Sequence, residues 1–350
     1  MKAKHFILLL FLTAFSLKNF ATHIVGGEIY YDCLGGNNYK ITLKIYRDCF
    51  NGQAPYDSPA VIFIFDNAGN FIDSVDMAFP GSVQLPASVI SPCLIPPTNI
   101  CVEEADYVTT INLPPLAGGY DIVYQRCCRN ITILNLIGPG NVGSTYMTHI
   151  PTTGVAPCNN SPRFNNFPPI FLCASVPLVF DHSATDPDGD SLYYQFCDPY
   201  IGLDPNCPQL GAAGSQGGAC PTIATPPPIS FVPWLSPYSG SYPTSSSPAM
   251  AINSNTGLMT GTPNMIGQWV IGVCVNEYRN GVLISTNKRD FQFNVVSCPN
   301  VPVASIPAQT TFCTGFQVNF NQTSLNAFTY HWDFGDPSTL TDTSNLWSTS

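Results

Sequence analysis

The densest set of chemistry-bearing side chains in this sequence is Ala184-Thr-Asp-Pro-Asp-Gly-Asp-Ser-Leu-Tyr-Tyr194. It places Asp186, Asp188 and Asp190 two residues apart, with Pro187 and Gly189 bending the backbone between them. Hard carboxylate oxygens at that density suit Ca²⁺. An EF-hand loop is excluded. It needs Gly at its sixth position and Glu at its twelfth, and counting from Asp186 the glycine is fourth and the twelfth residue is Cys197. The competing reading is an acidic turn that opens a strand over 191–196, with Asp side chains bonding backbone amides.

Other candidates lack partners. Gly189-Asp-Ser-Leu192 spells a lipase/esterase signature, but the only later histidine is His331 and Phe328 stands where the activating acid belongs. Ile24-Val-Gly-Gly27 matches the new N-terminus of an activated trypsin-like protease, without that family's remaining motifs. His23, His149 and His182 are isolated in sequence, and one histidine near an acidic turn makes no triad. Glu103-Glu104 read as a solvated surface pair. Trp234, Tyr238 and Tyr242 lie in a Pro/Ser-rich stretch, where they could stack on sugar rings or pack on neighbouring prolines. Asn130, Asn159 and Asn321 head formal glycosylation sequons.

The elements that must position these residues are strands. Among 350 residues, Gly 27 and Pro 33 interrupt the chain too often for long helices. Tyr39 to Arg47 alternates apolar and polar after a Gly-Gly-Asn-Asn turn, so Glu28–Cys33 and Tyr39–Arg47 form a hairpin with one buried face. Val61–Phe65, Tyr107–Leu113 and Gly119–Gln125 continue a meander-like series, and strands resume at 249–252, 269–275 and 289–296. Charged residues are only 10% and the net charge is −10 with 12 Lys+Arg, so no cation cluster exists to hold a phosphate backbone and nucleic acid is no partner.

Lys2 and Lys4, an apolar run from Phe6 to Leu17 and a small residue at Ala21 read as an export signal over 1–21. That run is too short to span a bilayer, and no later stretch is long enough. Localisation is therefore secreted or on the outer cell surface. The 14 cysteines then meet an oxidising compartment and form disulfides. Zinc would need paired C-x2-C knuckles, which are missing. Cys127 and Cys128 would face opposite ways on a strand. Cys93–Cys101 and Cys207–Cys220 are the expected local pairs.

The fold class expected is all-β, built as tandem disulfide-bonded β-sandwich modules. Residues 22–155 form an N-terminal β domain. Residues 156–298 form a second module with a long surface loop over 202–247, and 299–350 form a partial third. Thr256-Gly-Leu-Met-Thr-Gly-Thr-Pro263 with Gly267 resembles the Ig/cadherin-like repeats of bacterial surface proteins, in which this segment links two strands of a sandwich. The stretch over 184–194 resembles the acid segment of cadherin-like repeats, which implies calcium at Asp186, Asp188 and Asp190 as a stiffener of the array. Tyr330-His-Trp-Asp-Phe-Gly-Asp336 resembles the corresponding segment of PKD domains, with Trp332 and Phe334 on one face and Asp333 and Asp336 bonding turn amides. Together with Thr22–Glu28 and Tyr124–Asn130, these motifs resemble large secreted proteins of the gliding-motility-associated, type IX secreted kind. The resemblance implies a non-enzymatic adhesion or extracellular structural role with a protein or glycan ligand. The alternative is an accessory region of a larger secreted hydrolase or carbohydrate-binding protein.

Overall fold

A computed structural model describes residues 24–50, 52, 54–86, 97–212, 214, 218–298, 305–306, 320–324, 329–335, 338–339, 341, 343–346 and 348–349. The expected signal segment, His23, Cys93, Cys313, Phe328 and Asp336 lie outside them. Two compact units divide the chain: residues 1–87 with 98–296, and residues 88–97 with 297–350.

In the first unit the strands are, in order, β1 (Ile24–Gly35), β2 (Asn38–Asp48), β3 (Ala60–Asp66), β4 (Phe71–Met77), β5 (Val83–Gln84), β6 (Val102–Asn112), β7 (Tyr120–Arg126) and β8 (Ser144–Ile150). Then come β9 (Arg163–Phe164), β10 (Leu172–Cys173), β11 (Leu178–Asp181), β12 (Ala184–Thr185), β13 (Ser191–Phe196), β14 (Ala251–Ile252), β15 (Leu258–Gly261), β16 (Gly267–Arg279) and β17 (Val282–Val296). The all-β expectation holds. No helix among the described residues is long and apolar enough to cross a membrane.

The spine is one long sheet in the order β13-β16-β17-β1-β2-β6-β5, with β10 alongside β17. The β1–β2 hairpin forms as its alternation requires, Cys33 opposite Tyr39 and Ile29 opposite Leu43. The meander does not: β6 pairs with β2, while β3 and β7 pair in a second sheet, β4-β3-β7-β8. Segments 22–155 and 156–298, expected as separate modules, share the spine, because β1 pairs with β17.

Period-two geometry then sorts the cores. Gly27 stands opposite Asp290, so Ile29 and Tyr31 point to the same side as Asp290, while Phe291 and Phe293 point to the other. On the first side Ile29, Tyr31, Leu43 and Tyr107 pack against Ile62, Ile64, Ile122 and Tyr146 of the second sheet. On the second side Trp269, Ile271, Phe291 and Phe293 pack with Leu178 and Met259 of a small sheet, β11-β15-β14. The spine is thus covered on opposite faces at its two ends, which explains why β1 and β17 are buried almost throughout.

Glycines make the close layer contacts possible. A Cβ on Gly27 would lie 2.6 Å from the Tyr146 ring, and one on Gly26 would strike the Asp290 carbonyl. The Ile24–Gly27 sequence thus serves packing. Gly257 turns into β15 with φ +72°, where a Cβ would lie 2.9 Å from the His182 carbonyl oxygen.

The described residues of 202–247 contain no strand of the sheets, but the role of this stretch as a mere surface loop needs correction. Ala224 and Ile229 close a cluster with Phe63, Phe65 and Val123, and Val232 closes another with Ile133, Leu136 and Val270. Its prolines and small residues follow the contour of the sheets rather than leaving them.

Disulfides join Cys33 to Cys158, Cys49 to Cys101, Cys127 to Cys128, Cys197 to Cys274 and Cys207 to Cys220. The Cys207–Cys220 expectation is met. Cys101 takes Cys49 rather than Cys93, because the β2–β6 register brings Asp48 opposite Val102 and sets the two cysteines side by side. Cys127 and Cys128 bond to each other. They lie just past the end of β7, where strand alternation does not apply.

In the second unit β18 (Phe320–Asn321) pairs with β21 (Ser348–Thr349), and β19 (Trp332–Asp333) with β20 (Thr343–Ser344). Phe320 meets the rings of both Trp332 and Phe334, at 6.0 and 5.4 Å. The Asp333 carboxylate accepts the Gly335 amide at 2.9 Å.

Candidate functional site

The acidic turn sits where β12 passes into β13, at the edge of the spine. Asp186 Oδ1 accepts the backbone amides of Asp188 (2.9 Å) and Asp190 (3.0 Å), so one carboxylate oxygen shapes the whole turn. Asp188 is held from outside: its oxygens accept the Asn160 backbone amide and Nδ2, both at 2.7 Å.

The β13–β16 register brings in two further residues. Leu192 stands opposite Glu277 and Ser191 opposite Tyr278, so Glu277 and Arg279 of β16 arrive under the turn. Arg279 makes a forked contact with Asp190, Nε to Oδ1 at 2.9 Å and Nη2 to Oδ2 at 2.5 Å, and reaches Asp188 at 3.4 Å. This bond is the largest influence on Asp190 and holds its carboxyl below the usual aspartate range. Burial pushes Asp186 upward.

Glu277 is fully buried. Its Oε2 accepts the Ser285 hydroxyl and Asn159 Nδ2. Among the described residues, its Oε1 and Asp186 Oδ2 have no hydrogen-bond partner. Ligand oxygens of Asp186, Asp188, Asp190 and Glu277 all lie within 4.8 Å of one another. Burial raises the Glu277 carboxyl to about 8. Carboxylates facing one another this closely repel, and a proton, a neighbouring cationic side chain or a metal ion relieves that repulsion. Asp186 and Glu277 supply the oxygens still open to a cation, while Arg279 already neutralises Asp190.

The sequence-level triad therefore does come together, and Glu277 and Arg279 were the residues it missed. A signal existed. Glu277 continues the inward parity of Trp269, Ile271, Val273 and Val275, and a glutamate in a core-facing row calls for a reason.

The remaining candidates have structural partners. Ser191 is exposed on β13. His149 bonds Asp121 at 2.8 Å. His182 is fully buried against Phe164, Phe180 and Phe291. Glu103 and Glu104 are ion-paired, with Arg47 and Lys44, rather than solvated. Trp234 donates to Asp198 Oδ1 at 2.6 Å, and Tyr238 stacks on Tyr242 and meets the buried Trp269 edge-on, so these rings are engaged with the protein itself. Asn130 and Asn159 are buried, which closes both sequons to a glycan in the folded chain.

No protein-family model, curated protein or solved structure matches this chain.

Proposed function

We propose that this chain is a non-enzymatic extracellular protein that acts through binding and rigid display, in adhesion or as a structural spacer. The observation that carries this reading is the pattern of crosslinks on the spine. Cys33–Cys158, Cys49–Cys101 and Cys197–Cys274 each bond segments far apart in sequence, at separations of 125, 52 and 77 residues. Bonds of this kind persist in oxidising compartments and stiffen a domain against unfolding and proteolysis. The low charge content and the packed aromatics of 231–242 fit a framework whose side chains serve its own rigidity. The resemblance to secreted surface proteins supports the same reading.

Beads coated with the oxidised protein are expected to attach to glycan-coated or cell surfaces well above beads coated with reduced, alkylated protein. Equal attachment by both, or turnover in a screen of ester, peptide and glycoside substrates, would count against the proposal.

Within this reading the acidic turn holds a divalent cation through Asp186, Asp188 and Glu277, and the bound ion ties β13 to β16. Millimolar Ca²⁺ is expected to raise the melting temperature by about 5 °C. The rise should vanish in both Asp188→Ala and Glu277→Gln. A calcium response that survives both substitutions, or none in the parent protein, removes the cation from this site.

A further inference from the structure

The described residues hold nine Lys and Arg side chains, and eight of them pair with a carboxylate. The ninth, Lys288, makes no ion pair among the described residues. In a chain of net charge −10 an unpaired, half-buried ammonium is the exception that calls for a reason. Lys288 lies on β17 and lines a cleft of about 410 Å³, between the outer strand β8 and the end of the β16–β17 hairpin. Its Nζ donates to the Asp198 carbonyl at 2.7 Å and sits 3.5 Å from the centroid of the Tyr200 ring. Those two contacts fix the head group and leave it hydrogen-bonding capacity, since an ammonium has three protons to give.

The rest of the cleft is mainly apolar, with Met147, Val155, Leu283 and Ile284 beside the Tyr200 ring. Its volume falls within the range of small-molecule sites, where an apolar wall and a few fixed polar groups set orientation. We propose that this cleft binds a small organic carboxylate, with the acid group on Lys288 and an aliphatic or aromatic body along the apolar wall.

The charges around Lys288 favour an incoming acid over an internal one. Asp290 is engaged by Arg129 at 2.5 Å, Asp198 accepts from Trp234 and the Gly240 amide, and Asp121 bonds His149. Burial lowers the Lys288 ammonium to about 8, and the nearby Asp290 and Asp198 only partly offset this. A carboxylate bound at that position restores the missing partner and holds the proton on. Binding is therefore strongest below pH 8 and weakens as the free amine loses its proton.

Calorimetric titration of the oxidised protein with octanoate, octanol and octylamine tests the site. Octanoate is expected to bind one to one at pH 7, with octanol and octylamine at least ~10-fold weaker. Octanoate affinity should be about 10-fold lower at pH 9 than at pH 7. Lys288→Met, which keeps the length of the side chain, should lose at least ~10-fold for octanoate and leave octanol unchanged. Val155→Trp places bulk at an exposed position on the cleft wall and should weaken octanoate without lowering the melting temperature. Equal affinity for octanoate and octanol, octanoate binding that survives Lys288→Met or Val155→Trp, or no binding of octanoate at millimolar concentration would overturn the proposal.

Discussion

His182 shows how one buried side chain ties stability to acidity. Neither ring nitrogen has a hydrogen-bond partner among the described residues, and Arg289 lies close by. Burial holds its imidazole well below the ordinary value, so the native state keeps it neutral while the unfolded chain takes a proton near pH 6.5. Stability is therefore lost as pH falls below about 6.5, at up to ~1.4 kcal/mol per pH unit. His182→Leu is expected to flatten the melting-temperature profile between pH 7 and pH 5 and to leave it unchanged above pH 8. Glu277 works in the opposite direction. Its raised carboxyl contributes stability that is complete below about pH 4.5 and is lost as pH rises towards 8, so Glu277→Gln should gain stability over that window in the absence of calcium. The Arg129–Asp290 ion pair is buried as deeply, with both side chains at 2% exposure or less. Arg129→Met should cost about 3–5 kcal/mol in urea unfolding by leaving Asp290 buried and alone, and adding Asp290→Leu should recover part of that loss.

Among the elements, what could be read from sequence was local. The β1–β2 hairpin was legible because a turn and period-two alternation lie next to each other in the chain. The acidic turn was legible for the same reason: its capping oxygens and amides all belong to 186–190. The placement of β6 was not, since an alternating strand states which side is buried but not which neighbour it takes. Arg279 and Glu277 escaped notice because strand register, not sequence proximity, delivers them to the turn. The two glycines at the start of β1 carry a readable constraint whose cause lies elsewhere, in the Tyr146 ring and the β17 backbone. Gly27→Ala is expected to lower the melting temperature by several degrees, because the added methyl must displace a ring packed between two sheets.

For the molecule as a whole, composition was enough to give the all-β class and the crosslinks, while the organisation into units came from long-range pairing. No boundary signal near residue 155 could reveal that the strands on either side of it share one sheet. The Pro-rich segment there crosses between layers, and Cys158 within it is bonded back to Cys33. Replacing that pair, Cys33→Ser with Cys158→Ser, is expected to cost about 2–5 kcal/mol in denaturant unfolding, with the remaining crosslinks intact. The pairing of β1 with β17, the last strand of the first unit, has a further consequence for how the protein comes into being. Glu28 and Arg289 meet across 261 residues, so the leading edge of the polypeptide emerges long before the edge it must join has been made. Until then β1 presents an open, largely apolar border to whatever is nearby. A chain delivered end-first through a pore would need shielding by a holding factor, or late access to oxidant, to keep Cys33 from an early and wrong partner.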